Sequence, residues 1–236
     1  MAAGRTPSFG GLTRTPLLTT AGLVALYDAA HGVELNGGNV ASLADIKNGN
    51  TVSQGTPSAQ MAFISSWRNG MPALQCASGD LLIRSTWIGG SVSQPTTIYL
   101  VGENSSVESI ASGVYLSAGA AFHCPRVISG VPSALCTGNA SISGTVTNSA
   151  AFISRWNMNG ASTSIRVEQH GLALLSGTCD PGNTVMNGIA IGGNYDNTFN
   201  PLIKLSLVAV FSGVVGAADE ARILSYARSR YNIIGA

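Results

Sequence analysis

Charge is scarce in this chain. Only 10% of its 236 residues are Asp, Glu, Lys or Arg, and they sum to a net +1, against roughly 25% charged residues in an ordinary soluble domain. No block of Lys or Arg occurs, so no strong field exists to steer nucleic acid or an acidic membrane, and neither is expected as a partner. Aromatic residues are also few, at 6%, and most are needed for packing. Four cysteines, Cys76, Cys124, Cys136 and Cys179, include no C-x-x-C pair. Zinc ligands usually come in short-spaced pairs, so no metal centre is expected. Buried, reduced thiols are the expected state, with a Cys124–Cys136 bridge across a hairpin left open. Long apolar runs are missing. Leu17 to Leu26 is broken by Thr19, Thr20 and Gly22 and is too short to span a bilayer. The opening MAAGRTPSFGGLTRTP lacks the apolar core of an export signal. The chain is therefore expected to be made in a host cytoplasm and to reach any exterior by another route, such as within a virus particle.

What is present is apolar residue, at 45%, and glycine, 29 of them. With so little charge, the surface must be covered by Ser, Thr, Asn, Gln and Gly. Such a surface suits a protein packed against neighbours or facing an outer environment. Residues 1–20 read as a polar arm without a period, in which Arg5, Phe9 and Arg14 are the residues expected to dock on a partner. Residues 21–236 read as one domain, since no second composition regime appears.

The domain reads as many short strands. Leu23–Asp28 is the first, Val40–Ile46 the second, and Asn48, Gly49 and Asn50 mark a tight turn. Pro72–Gln75, Leu81–Arg84, Thr96–Val101, Val114–Leu116 and Ala120–Ile128 follow. Ala150–Trp156 and Thr163–Gln169 flank Asn159-Gly160, a strong hairpin signal. Gly188–Gly192 is another short strand. The segment LIKLSLVAVFSGVVGAADEARILSYARSRYNI ends the chain. Alternation puts Ile203, Leu205, Leu207, Ala209 and Phe211 on one face of a long strand. A helix from about Ala217 to Arg230 then has Asp219 and Glu220 at its start and Arg228 and Arg230 at its end, each favoured by the helix dipole. Its apolar stripe is Ile223, Leu224, Ala227 and Tyr231. The pattern predicts an all-β fold, a two-sheet antiparallel jelly-roll sandwich with one C-terminal α-helix.

Several segments, taken in order, resemble the concanavalin A-like, laminin-G-like jelly-roll superfamily, of the kind found in phage virion proteins. LVALYDA resembles its first strand, NVASLADIKNGNTVSQGTPSAQ its next element, and NGMPALQCASGDLLI and TTIYLVGEN its central segments. GIAIGGNYDNTFNPLIKLSLVAVF and the helix after it resemble its ending. Leu43 stands where that family often has an aromatic residue, and Ser105–Ser149 shows no match. The resemblance implies a sandwich whose end loops carry any site. Glycosidases of this fold use a Glu-x-Asp-x-x-Glu strand, and no acid pair here lies at i, i+2 on a predicted strand. No Gly-x-Ser-x-Gly elbow occurs. His123 and Cys124 are adjacent, so on a strand they point to opposite faces. No enzyme is expected.

Laminin-G-like domains often bind calcium through loops. Asn194, Asp196 and Asn197 offer oxygens here, with Asp28 or Asp45 as further approaches. One certain acid is too few for a cation that takes six to eight oxygens, so an Asx-rich turn, and no cofactor, is the expectation. For sugar binding, Trp67, Trp87, Trp156, Tyr195 and Phe199 are the candidate platforms. Tyr195 and Phe199 share a loop with Asp196 and form a shallow candidate site, while Trp156 reads as hairpin core. The expected function is a non-catalytic structural protein of a virus particle. It would decorate a bacteriophage capsid or belong to a tail or fibre, contacting other virion proteins or copies of itself. The alternative is a carbohydrate-binding or adhesion module for a host glycan.

Overall fold

The computed structural model describes residues 15–77, 79–104, 114–115, 124–128, 131–135, 139–142, 149–169, 175–180, 182, 185–193 and 202–233. In chain order these form α1 (Thr15–Thr19), β1 (Leu23–Asp28), β2 (Val33–Asn36), β3 (Asn39–Leu43), β4 (Val52–Ser53), β5 (Ala62–Arg68), β6 (Met71–Cys76), β7 (Leu82–Arg84), β8 (Val92–Ser93) and β9 (Thr96–Asn104). Then come β10 (Val114–Tyr115), β11 (Cys124–Ile128), β12 (Val131–Leu135), β13 (Asn139–Ser141), β14 (Ala151–Met158), β15 (Thr163–Gln169), β16 (Leu175–Cys179), β17 (Val185–Met186), β18 (Ile189–Ile191), β19 (Ile203–Ser212) and α2 (Ala217–Tyr231). The arm residues Arg5, Phe9 and Arg14 lie outside the described residues.

The strands pair antiparallel in the order β10-β18-β7-β4-β3-β5-β6-β19-β9-β14-β15-β16, with β1 on β19 and β2 on β3. This path folds over on itself. Side chains of β3, β4, β6, β7 and β18 (Val40, Leu43, Val52, Leu74, Leu82, Ile189) meet those of β9, β14, β15 and β19 (Ile98, Leu100, Trp156, Ile165, Val208) in one buried core. A second core lies on the far side of β9, β14 and β19, between Tyr99, Val101, Ile153 and Ala209 and the stripe Ile223, Leu224, Ala227 and Tyr231 of α2. The expected all-β sandwich with a C-terminal helix is the fold observed, and the helix seals the outer face of one sheet.

β19 departs from straight alternation. Its pairing with β9 steps from Leu205↔Gly102 to Leu207↔Val101, leaving Ser206 as a bulge. One extra residue reverses the faces beyond it. Ile203 and Leu205 therefore share the inter-sheet core with Val208 and Val210, while Leu207, Ala209 and Phe211 face α2. The single face expected for Ile203 through Phe211 is corrected by this step. Ser206 is held in place: its Oγ donates to Pro72 O (2.5 Å), and its carbonyl accepts from Ala29 N (2.9 Å). Opposite, Gly102 has no room for a side chain, since a Cβ there would lie 2.4 Å from Lys204 O.

Among the elements that were not expected, α1 and β5 bear on the helix side of the sandwich. Residues 15–19, read as part of the arm, form α1, and Leu17 is buried in the helix-side core. β5 pairs with β6 across an Asn69-Gly70 turn in which both residues have positive φ (50° and 73°), the mirror-image turn that Asn-Gly favours. α2 closes at Asn232, whose left-handed φ of 50° lets Ile233 N reach back to Arg228 O (3.0 Å).

Candidate functional site

Directly paired residues on neighbouring strands share a sheet face. On the face of β9, β14, β15 and β16 toward α2, one row therefore runs Tyr99, Arg155, Arg166, Ser176, and the next runs Thr97, Asn157, Ser164, Thr178. Placing Arg155 opposite Arg166 sets like charges side by side, a destabilising pair unless acids intervene. Two acids do. Glu168 of β15 accepts from Arg228 Nε and Nη2 (2.8 and 2.6 Å) and from Arg166 Nε and Nη2 (3.0 and 2.8 Å). Glu220, in the first turn of α2, stands off at 3.4 Å from Arg155 Nε and 3.7 Å from Arg166 Nη1. Burial opposes ionisation of Glu168, but the hydrogen bonds from Arg228 and Arg166 outweigh it and hold the carboxyl below its ordinary 4.5.

Beside this network three buried polar atoms lack a hydrogen bond: Tyr99 OH, Asn157 Oδ1 and Arg155 Nε. Such atoms are uncommon in folded proteins. Arg155 is otherwise engaged through Nη1, which donates to Ser164 Oγ (2.6 Å). Burial, and after it the nearby Glu220, push the Tyr99 phenol far above its ordinary range. Past β15 the floor opens, and Ser176 and Thr178 are exposed.

A second polar group sits at the other end of α2. The β5–β6 turn docks there, with Asn69 Nδ2 donating to Arg230 O (2.9 Å). Half-buried Trp67 packs its ring 6.1 Å from that of Tyr231 and donates Nε1 to Glu103 (3.3 Å). Glu103 also accepts from Arg68 (3.3 Å) and Lys204 (2.7 Å). Burial works against its charge, and the Lys204, Trp67 and Arg68 bonds hold its carboxyl low.

The loop residues Asn194, Tyr195, Asp196, Asn197 and Phe199 lie outside the described residues, as do Cys136, His123 and His170. The stem of that loop is described: Gly192 and Gly193 are buried, and the buried Cys76 thiol donates to Gly192 O (2.8 Å). Of the other aromatic candidates, Trp87 and Trp156 are core residues, and Trp67 alone of the three tryptophans is partly open. Neither acid suggested as a calcium approach is free for one. Asp28 is fully buried and paired with Arg230 (2.9 Å), and Asp45 accepts from the amides of Leu26, Lys47, Asn48 and Asn50. Among the described residues no group of three or more His, Cys, Asp or Glu could hold a metal ion. Sequence reasoning passed over Arg155, Arg166, Glu168 and Glu220 as a set. The Asn159-Gly160 signal does not reveal them, because a two-residue turn centred there places Arg155 opposite Ser164, two residues from its observed partner Arg166.

No protein-family profile matches the chain, and no curated protein matches it. Solved structures do. A GH54 α-L-arabinofuranosidase soaked with a cyclic sulfate inhibitor aligns with 84% of this chain and 52% of its own, with a TM-score of 0.60 and 12% identity. Domain 4 of AbnA, a GH43 extracellular arabinanase from Geobacillus stearothermophilus, in complex with arabinotriose, aligns with 86% of this chain and 98% of its own, with a TM-score of 0.54 and 13% identity. A Trypanosoma rangeli sialidase in complex with sialic acid aligns over 97% and 36%, with a TM-score of 0.51 and 11% identity. At these identities the likeness is one of fold alone, a β-sandwich. The chain spans about half the length of the arabinofuranosidase structures it matches.

Proposed function

We propose that this protein is a non-catalytic carbohydrate-binding module. The observation that carries the reading is the match to domain 4 of AbnA, a sugar-bound domain aligned along 98% of its length. The chain's own surface supports it. Arginines flanked by Ser164, Ser176 and Thr178 at one end of α2, and Trp67 beside Glu103 at the other, are groups that hydrogen-bond hydroxyls and stack on sugar rings. Two acids, Glu168 and Glu220, do contact Arg166 together, as a glycosidase pair would have to converge on its substrate. Glycoside hydrolysis needs a carboxylate free to face the sugar, whereas both oxygens of Glu168 are occupied by hydrogen bonds from Arg166 and Arg228.

The low-charge surface and the Arg5–Phe9–Arg14 arm also fit attachment of such a module to a virus particle, as a homo-oligomer or beside other virion proteins. That role is compatible with glycan binding. A glycan array probed with the full chain tests the main reading. Binding of defined glycans, weakened by Trp67→Ala or Arg155→Met, is expected. Binding lost instead on Tyr195→Ala moves the site to the 194–199 loop, and a blank array in the presence of a well-defined oligomer favours assembly alone.

A further inference from the structure

We infer that the arginine cluster between the first turn of α2 and strands β14–β16 is a subsite for the carboxylate of an acidic sugar. The inference rests on the carbohydrate-binding reading and names the class of sugar. Arg155, Arg166 and Arg228 face Glu168 and Glu220 there, and Asp219 in the same turn is balanced by Arg222, which leaves one positive charge in excess. The two acids are not equivalent. Glu168 is saturated, taking four hydrogen bonds of 2.6–3.0 Å from Arg228 and Arg166. Glu220 reaches Arg155 Nε only at 3.4 Å and Arg166 Nη1 at 3.7 Å, beyond the 2.7–2.9 Å of a charge-assisted hydrogen bond. Its side chain is 18% exposed. Glu220 thus stands where a ligand carboxylate would bind, loosely enough to be displaced.

The cluster carries unmet hydrogen-bonding capacity as well. Tyr99 and Asn157 are 1% and 7% exposed, and Tyr99 OH and Asn157 Oδ1 have no partner. Arg155 Nε is likewise without a hydrogen bond. A carboxylate entering from the β15 side accepts from the guanidinium edges of Arg155 and Arg166, with Tyr99 OH as a further donor in the same row. A ring hydroxyl supplies the donor that Asn157 Oδ1 lacks. Exposed Ser176 and Thr178 and half-buried Ser164 line the way in with hydroxyls, a lining suited to a hydrated sugar ring more than to an apolar or peptide ligand.

Isothermal titration of the full chain with glucuronate and with glucose tests this. Glucuronate should bind about tenfold or more tightly than glucose, as expected when one charge pair is gained. Arg155→Met should erase that preference. Glu220→Gln removes the competing carboxylate and should tighten glucuronate binding severalfold. A merely structural role for Glu220 gives no such gain, and this variant keeps the test usable if Arg155→Met does not fold. Glucuronate bound no better than glucose, or bound more weakly by Glu220→Gln, overturns the inference. So does an oligoglutamate peptide that binds the cluster as well as glucuronate. Neutral arabino-oligosaccharides bound without any uronate preference sink the inference and leave the carbohydrate-binding reading standing. Silence toward all sugars sinks both.

Discussion

Arg230 and Asp28 are joined by a 2.9 Å hydrogen bond across 202 residues of sequence, with side chains 5% and 0% exposed. Arg230 also donates to Tyr226 OH, and Asp28 accepts from Ala30 N (3.0 Å). This pair fixes the end of α2 to β1. Breaking a buried ion pair from one side strands the other charge. Arg230→Met should therefore cost about 3–5 kcal/mol, read as a lower urea midpoint with an unchanged slope. Replacing both partners by apolar residues should recover much of the loss, because no charge is then left buried alone. None of this was legible in the sequence. Asp28 reads there as the end of a strand and Arg230 as a helix-end cation favoured by the dipole, and only the fold shows that the two meet.

Local signals carried the elements well where they were strong. Leu23–Asp28 and Thr163–Gln169 are observed with the expected limits, and α2 extends the expected helix by one residue. β19 was misread for a physical reason: its alternation is real on each side of Ser206, but a bulge is set by the neighbouring Pro72 and Ala29 backbone, which lies far away in sequence. β5 was missed although Asn69-Gly70 marks its hairpin. Its residues alternate poorly because the strand is mostly exposed or half-exposed. The acids that tie α2 and the β5–β6 hairpin to the sheet make this layer sensitive to pH. Glu168 and Glu103 have folded-state pKa values below their ordinary 4.5. They bind fewer protons folded than unfolded, so their stabilisation is full above about pH 4.5 and fades as pH falls through the lower folded values. Urea titrations from pH 7 to pH 3 should show this loss, and Glu168→Gln should flatten the slope while lowering stability at pH 7.

At the scale of the whole molecule, the main sheet of the described residues folds into two layers around one core, with a helix sealing a second core on the outer face of one layer. Hydrophobic period and turn residues made that architecture legible, since both act locally. The candidate site was not, because it is assembled from β9, β14, β15 and α2, whose residues are adjacent only after folding. The sequence pointed instead to a loop rich in Asn and aromatic residues, and to a low-charge surface that suits many kinds of contact. The proposal to be tested is that this sandwich binds sugar on its arginine-lined or Trp67 surface and does not cleave it. Amide chemical-shift mapping of the full chain, titrated with arabinotriose and with glucuronate, tests it most directly. The account predicts saturable shifts clustered on Arg155, Ser164, Arg166, Ser176 and the first turn of α2, or around Trp67, with the added sugar recovered intact. Shifts scattered without saturation, or conversion of arabinotriose into shorter sugars, would contradict it.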